Sequence, residues 1–144
     1  MLRGLTTVTF FADDVAAAVE WYSEVLGIAP YFVREVGGHT AYVEFRIGEY
    51  QHELGIVDAR FAGDRTPGAH GPVTYWHVDD VAAAHDRLVA LGATSHEGVI
   101  ERGPGYVTAS VVDPFGNLLG VMVNQHYLDV LADALAGALA ARSA

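Results

Sequence analysis

The chain has 144 residues, of which 51% are hydrophobic and 18% charged, a balance that excludes a disordered polymer and suits one domain with a real core. Eight Lys and Arg against eighteen Asp and Glu leave a net charge of −10, which repels phosphate backbones and anionic membranes. There is no cysteine, so disulfides, thiolate metal sites and cysteine nucleophiles are excluded as well.

No apolar run approaches the roughly 18–20 residues of a bilayer span. Met1-Leu2-Arg3-Gly4-Leu5 lacks the long apolar core of a secretory signal. The expected setting is the cytoplasm, with neither nucleic acid nor membrane as a partner.

Residues 5–11 form a β-type run. Asp13-Asp14-Val15-Ala16-Ala17-Ala18 then opens a helical pattern with Val15, Val19, Tyr22 and Leu26 on one stripe, ending at Leu26-Gly27. Three β-type segments follow, at 30–35, 39–47 and 50–57, with turn signals at Gly37-Gly38 and Gly48-Glu49. Residues 59–71 carry Gly, Pro, Asp and Arg without apolar period and read as a link.

The pattern then returns. A β-type run at 73–78 leads into Asp79-Asp80-Val81-Ala82-Ala83-Ala84, identical to the first copy. Val81, Ala84, Leu88 and Leu91 share a stripe, and the helix ends at Leu91-Gly92. Segments 94–100, 106–112 and 118–123 follow, separated by Gly103-Pro104-Gly105 and by Pro114-Phe115-Gly116-Asn117. The copies are 66 residues apart at the Asp pair and 65 apart at the Leu-Gly pair. Two copies are too few for a solenoid, so they read as two packed half-modules. The Asp pairs are N-cap candidates, since a carboxylate accepts the free N–H groups of a first turn; Gly27 and Gly92 suit the left-handed residue that ends a helix. Residues 126–142 form a third helical pattern with Leu128, Leu131, Leu135 and Leu139 on one stripe. It has no counterpart in the first copy. It either covers a sheet edge of its own domain or packs against a partner chain.

The predicted architecture is therefore α+β, with two tandem βαβββ modules at about 4–58 and 72–125. They make a single domain over 1–125, followed by a C-terminal helix within 126–144. This duplicated module resembles the vicinal oxygen chelate superfamily of glyoxalases, bleomycin-resistance-type proteins and extradiol dioxygenases. Thr74-Tyr75-Trp76-His77-Val78-Asp79-Asp80-Val81 is similar to the family's first strand entering its helix. Leu91-Gly92-Ala93 is similar to its helix exit, and Asp113-Pro114-Phe115-Gly116-Asn117-Leu118 to its Asp-Pro-Asp-Gly-Asn turn, with Phe115 in place of the middle Asp. Trp21-Tyr22-Ser23-Glu24-Val25-Leu26-Gly27 resembles its Phe-Tyr-x-x-Val-Leu-Gly segment. The resemblance implies an incomplete barrel around a cleft, a small-molecule ligand and a homodimer.

It also implies a divalent metal held by His, Glu or Gln on the first and last strand of each module. The first-strand positions here are Thr7 and Val73, and the last is Gly120. Thr is a poor ligand for a first-row metal, and Val and Gly offer no donor. In the first module's last strand, the family's Glu-Leu pattern selects Glu53, whereas counting from Gly48 in register with Gly116 selects His52. No cofactor is therefore predicted; a metal, if present, would use a rearranged set of His52, Glu53 and His77.

Strand alternation assigns the remaining candidates. Thr7, Thr9 and Phe11, and likewise Val73, Tyr75 and His77, share the face that the family turns to its cleft. Tyr42 and Glu44 on the third strand join them, as do Tyr106, Thr108 and Ser110 on the seventh. Such walls suit a flat, partly apolar small molecule, with polar groups setting its orientation. His77 is the group best suited to acid–base work near neutrality, with Glu53 as its partner carboxylate. Three functions follow: a metal-independent binding protein; a lyase, isomerase or dioxygenase using a rearranged centre or the His77/Glu53 pair; or a scaffold acting through dimer contacts.

Overall fold

The computed structural model describes residues 6–62 and 73–142. Most of the expected link, including His70, lies outside them. Strands β1 (Thr7–Ala12), β2 (Phe32–Val36), β3 (His39–Ile47) and β4 (His52–Asp58) form one sheet in the order β1-β4-β3-β2, with α1 (Val15–Leu26) between β1 and β2. Strands β5 (Thr74–His77), β6 (Thr94–Gly103), β7 (Tyr106–Val112) and β8 (Leu118–Asn124) repeat that order as β5-β8-β7-β6, with α2 (Val81–Ala90) in the same place. In each sheet the first strand runs parallel to the last, and the remaining pairs are antiparallel. The two sheets stay open and separate, so no closed barrel forms.

The repeated Asp is a cap in both copies. Asp14 accepts from the Ala17 N–H and Asp80 from the Ala83 N–H, each at 3.0 Å. Gly27 ends α1 with φ 67°, a left-handed conformation that costs glycine little. Alternation sends Phe10, Ala12, Val43, Phe45, Leu54 and Ile56 of the first sheet into a core that continues through Val15, Ala18 and Tyr22 of α1. Val81 and Leu88 of α2, with Ala109, Val111, Leu119 and Val121, extend the same core through the second module. One core thus joins the two modules through their helix-covered faces.

A polar joint locks this packing on one side. The Asn117 carboxamide receives the Phe11 N–H at 3.1 Å and donates to the Phe11 carbonyl at 3.0 Å. Asp113, only 3% exposed, accepts from the Tyr22 hydroxyl at 2.5 Å, from the Phe115 and Asn117 N–H groups, and from Asn117 Nδ2 at 2.9 Å. Trp21 adds an indole donation to the Leu91 carbonyl at 2.8 Å.

The C-terminal helix α3 (Gln125–Arg142) departs from one expectation. Its first turn is anchored: Asn124 Oδ1 accepts from the Tyr127 N–H, and the Gln125 N–H reaches the Gly105 carbonyl. Beyond that, no described strand or helix packs extensively along it, and Leu128 and Leu135 are 38% and 53% exposed. It therefore lies along no described sheet edge. Alanines between the leucines leave a shallow surface, and Tyr127 reaches the first module through Glu49.

Candidate functional site

The strand registers identify which residues of the two modules correspond. Val8 pairs with Leu54, and Thr74 pairs with Leu119. Carried along each strand, Thr9 faces Gly55 as Tyr75 faces Gly120, and His52 stands where Asn117 stands. The turns before the last strands agree. The Gln51 N–H bonds the Gly48 carbonyl as the Gly116 N–H bonds the Asp113 carbonyl, both at 3.1 Å, and Gln51 and Gly116 both have positive φ. This corrects the expected alignment of Gly48 with Gly116. The counterpart of Gly120 is Gly55, one position past Leu54, and neither Glu53 nor His52 occupies it. A turn glycine in one module answers to a glutamine in the other, which hid the register.

Both glycines lie beneath tyrosine rings. A Cβ on Gly55 would fall 2.7 Å from Tyr42 Cε2, and one on Gly120 would fall 2.5 Å from Tyr75 Cδ1. The family's metal does not fit these residues. Thr7, Val73 and Gly120 supply no suitable donor, and a phenol ring fills the space next to each glycine. Among the described residues, no three His, Asp or Glu side chains converge as a cation cage.

The expected cleft residues separate into two places. In the first module, the Tyr31 hydroxyl donates to Glu44 Oε2 at 2.5 Å and lies 3.0 Å from Glu53 Oε1, while Tyr42 donates to Glu44 Oε1 at 2.6 Å. Arg46 stands 4.0 Å over the Tyr31 ring and 3.6 Å from Glu53. Burial opposes ionisation of Glu44, but the hydrogen bonds from Tyr31 and Tyr42 and the nearby Arg46 outweigh it and hold the carboxyl below its ordinary value. The hydrogen bond to Glu44, followed by desolvation and Glu53, pushes the Tyr31 phenol up to about 12. Desolvation, then Glu44, raises Tyr42. The Thr7 hydroxyl is buried against this group and has no hydrogen bond of ordinary geometry among the described residues, and Thr9 is exposed.

The second place is a cavity of about 310 Å³ along β5, lined by residues 74–79 and by Ile47, Gly48, Glu49, His52 and Tyr127. His77 stacks on Tyr127 at 4.7 Å with an interplanar angle of 17°, and Tyr127 donates to Glu49 at 3.2 Å. Tyr50 contacts both His52 and Tyr127 at 5.5 Å. Among the described residues, His77 Nδ1 and Trp76 Nε1 are buried without hydrogen-bond partners. Of the expected residues, Tyr75 and His77 reach this cavity, and so does His52. Glu53 belongs to the other cluster. Ser110 is 1% exposed and Thr108 lies under Arg102, whereas Tyr106 is 38% exposed at the β6–β7 turn. Sequence reasoning missed Tyr31, Arg46 and Tyr127. The first two lie inside expected strand segments, where alternation gave no reason to single them out, and Tyr127 sits off the leucine stripe that defined its helix.

Residues 4–121 match the family model for the Glyoxalase/Bleomycin resistance protein/Dioxygenase superfamily. The chain belongs to this superfamily. No protein of curated function matches its sequence. Solved superfamily folds superpose well. One is a superfamily member from Sphaerobacter thermophilus, with TM-score 0.68 and 19% identity over 84% of this chain and 97% of that one. Another is a glyoxalase-related enzyme from Fulvimarina pelagi, with TM-score 0.67 and 21% identity over 86% and 90%. A third is a lactoylglutathione lyase from Agrobacterium tumefaciens, with TM-score 0.60 and 21% identity over 85% and 94%. At these identities the superfamily likeness is one of fold, and chemistry has to be argued from the site itself.

Proposed function

We propose that this chain is a metal-independent small-molecule binding protein that takes a largely apolar or aromatic ligand. The observation that carries the reading is the pair of tyrosine rings over Gly55 and Gly120. Where the last strand of each module would offer an ion a carboxylate, there is no side chain and an aromatic surface lies in its place. The 310 Å³ cavity beside β5 supplies the binding volume, walled by Tyr75, His77 and Tyr127 with His52 opposite. That volume suits a one- or two-ring compound. The net charge of −10 favours neutral or cationic ligands. Thr7, Thr9, Phe11, Tyr42 and Glu44 form a secondary surface on the first sheet. A homodimer is expected, with the exposed leucines of α3 as the contact.

Catalysis by a His77/Glu53 pair has less support, because Glu53 is engaged with Tyr31 and Arg46 while His77 stacks on Tyr127. Elemental analysis of untagged protein tests the main reading, together with a thermal-shift screen of aromatic compounds with and without divalent ions. The expected result is substoichiometric metal and stabilisation that needs no added ion. One equivalent of metal per chain, whose removal abolishes every ligand shift, would overturn it.

A further inference from the structure

The two modules have two equivalent joints, and among the described residues only one is sealed. The sealed joint comprises Tyr22, Asp113, Asn117 and Phe11. At the corresponding positions of the other joint stand Leu88, Gly48, His52 and His77. Leucine has no hydroxyl, glycine has no carboxylate, and an imidazole does not present the donor and acceptor of a carboxamide side by side. The cavity lies at this second joint, between the first module's β3–β4 turn and β5.

β5 is an edge strand of its sheet, unpaired on its outer side among the described residues, which explains why consecutive residues line the cavity. His77 pairs with Met122, and the Val78 N–H donates to the Met122 carbonyl at 2.9 Å. In a parallel ladder the bonds from β5 to β8 therefore leave from Trp76 and Val78, so the His77 N–H and C=O point away from the sheet. Phe11 presents the same pair of groups on β1, and there the Asn117 carboxamide takes both.

We infer that the cavity recognises ligands carrying a planar amide whose N–H lies on the same side as its C=O, bound to the backbone of His77 as Asn117 is bound to Phe11. Primary carboxamides, lactams, cyclic imides and cyclic ureas have that geometry. Open-chain secondary amides do not, because their trans form turns the N–H away from the carbonyl oxygen. The rest of the ligand lies against the aromatic wall of Tyr75, His77 and Tyr127. This inference rests on the proposed binding function and specifies its ligand class.

Nuclear magnetic resonance on ¹⁵N-labelled full-length protein tests it with benzamide, N-methylbenzamide and N,N-dimethylbenzamide. Without ligand, the His77 amide should exchange with solvent quickly and the Phe11 amide slowly. Benzamide should shift the His77 amide, and both methylated compounds should bind about tenfold more weakly or worse. His52→Asn supplies an internal carboxamide, so it should weaken benzamide by about tenfold and slow His77 exchange. Slow His77 exchange in the free protein would show the edge already paired, and would overturn the inference. Equal binding of all three compounds without movement of the His77 signal would also overturn it, while leaving an aromatic-binding cavity intact. Failure of every aromatic compound to bind would remove the parent reading too. Should His52→Asn misfold by circular dichroism, the three-compound comparison still decides.

Discussion

Truncating Asn117 to alanine tests whether the sealed joint holds the two modules together. The side chain makes three hydrogen bonds: two with the Phe11 backbone and one to Asp113, at 2.9 to 3.1 Å. Asn117 is 9% exposed and Asp113 3%, so water replaces these bonds poorly. With about 1 kcal/mol for each backbone bond and somewhat more for the bond to the carboxylate, the loss is about 3 kcal/mol. For a domain of this size that is about a 6–12 °C fall in Tm, and a large share of a stability of roughly 5–15 kcal/mol. Urea unfolding at pH 7 reads the difference directly, with Arg87→Ala as control. Arg87 also crosses between modules, to Glu24, but its side chain is 57% exposed and that of Glu24 62%, and its removal should cost no more than about 0.5 kcal/mol. If Asn117→Ala lost no more than Arg87→Ala, the joint would be ornamental and the contrast between the two joints would lose its energetic basis.

Other perturbations give separate readouts. Glu44 has a depressed folded pKa, so its contribution to stability is complete above its ordinary 4.5 and disappears as pH falls through the lower folded value; the stability gap between wild type and Glu44→Gln should shrink over that acid range in urea melts. The Tyr31 phenol, raised to about 12, contributes fully below 10.0 and loses that contribution as pH climbs through 12, and Glu44→Gln should bring its ultraviolet titration midpoint back toward 10.0. Gly120→Ala should cost about 1–3 kcal/mol, since its Cβ would meet both the Tyr75 ring and the Thr74 carbonyl, whereas Gly98→Ala, with nothing within 4 Å, should stay near neutral in thermal melts. Leu128→Asp with Leu135→Asp should halve the mass measured by light scattering if α3 holds a dimer; an unchanged dimer would exclude α3 as the contact.

The duplication was legible because local signals repeated in order. Asp14 and Asp80 cap helices for reasons internal to one turn of chain, and the 3.6-residue stripes of α1 and α2 needed no knowledge of the partner sheet. The alternation that grouped Thr9 with Phe11 and Tyr75 with His77 was equally local. The site was harder to read, because it depends on register between strands distant in sequence. The copies are 66 residues apart at Val8 and Thr74 but 65 apart at Leu54 and Leu119, so a correspondence counted along the chain does not carry over to the last strands. Gln51 conceals its kinship with Gly116 by adopting the same left-handed turn without being glycine. Tyr127 escaped notice because its role comes from a ring contact with His77, not from the leucine period around it.

A duplicated fold offers two joints, but cohesion of a single core requires only one of them to be tight. Stability and binding can then be assigned to different joints, and His52→Asn is the substitution that sets them against each other. If the asparagine reaches the His77 backbone as Asn117 reaches Phe11, it adds up to two hydrogen bonds, about 1–2 kcal/mol net. At roughly 2–4 °C per kcal/mol, Tm should rise by about 2–8 °C without ligand. The same variant should lose the extra stabilisation that benzamide gives the wild type, because side chain and ligand compete for one donor–acceptor pair. Opposite changes in intrinsic Tm and in ligand-induced shift are the signature of that competition. A variant less stable than wild type that still gains fully from benzamide would mean that the His77 edge does not behave as the counterpart of Phe11.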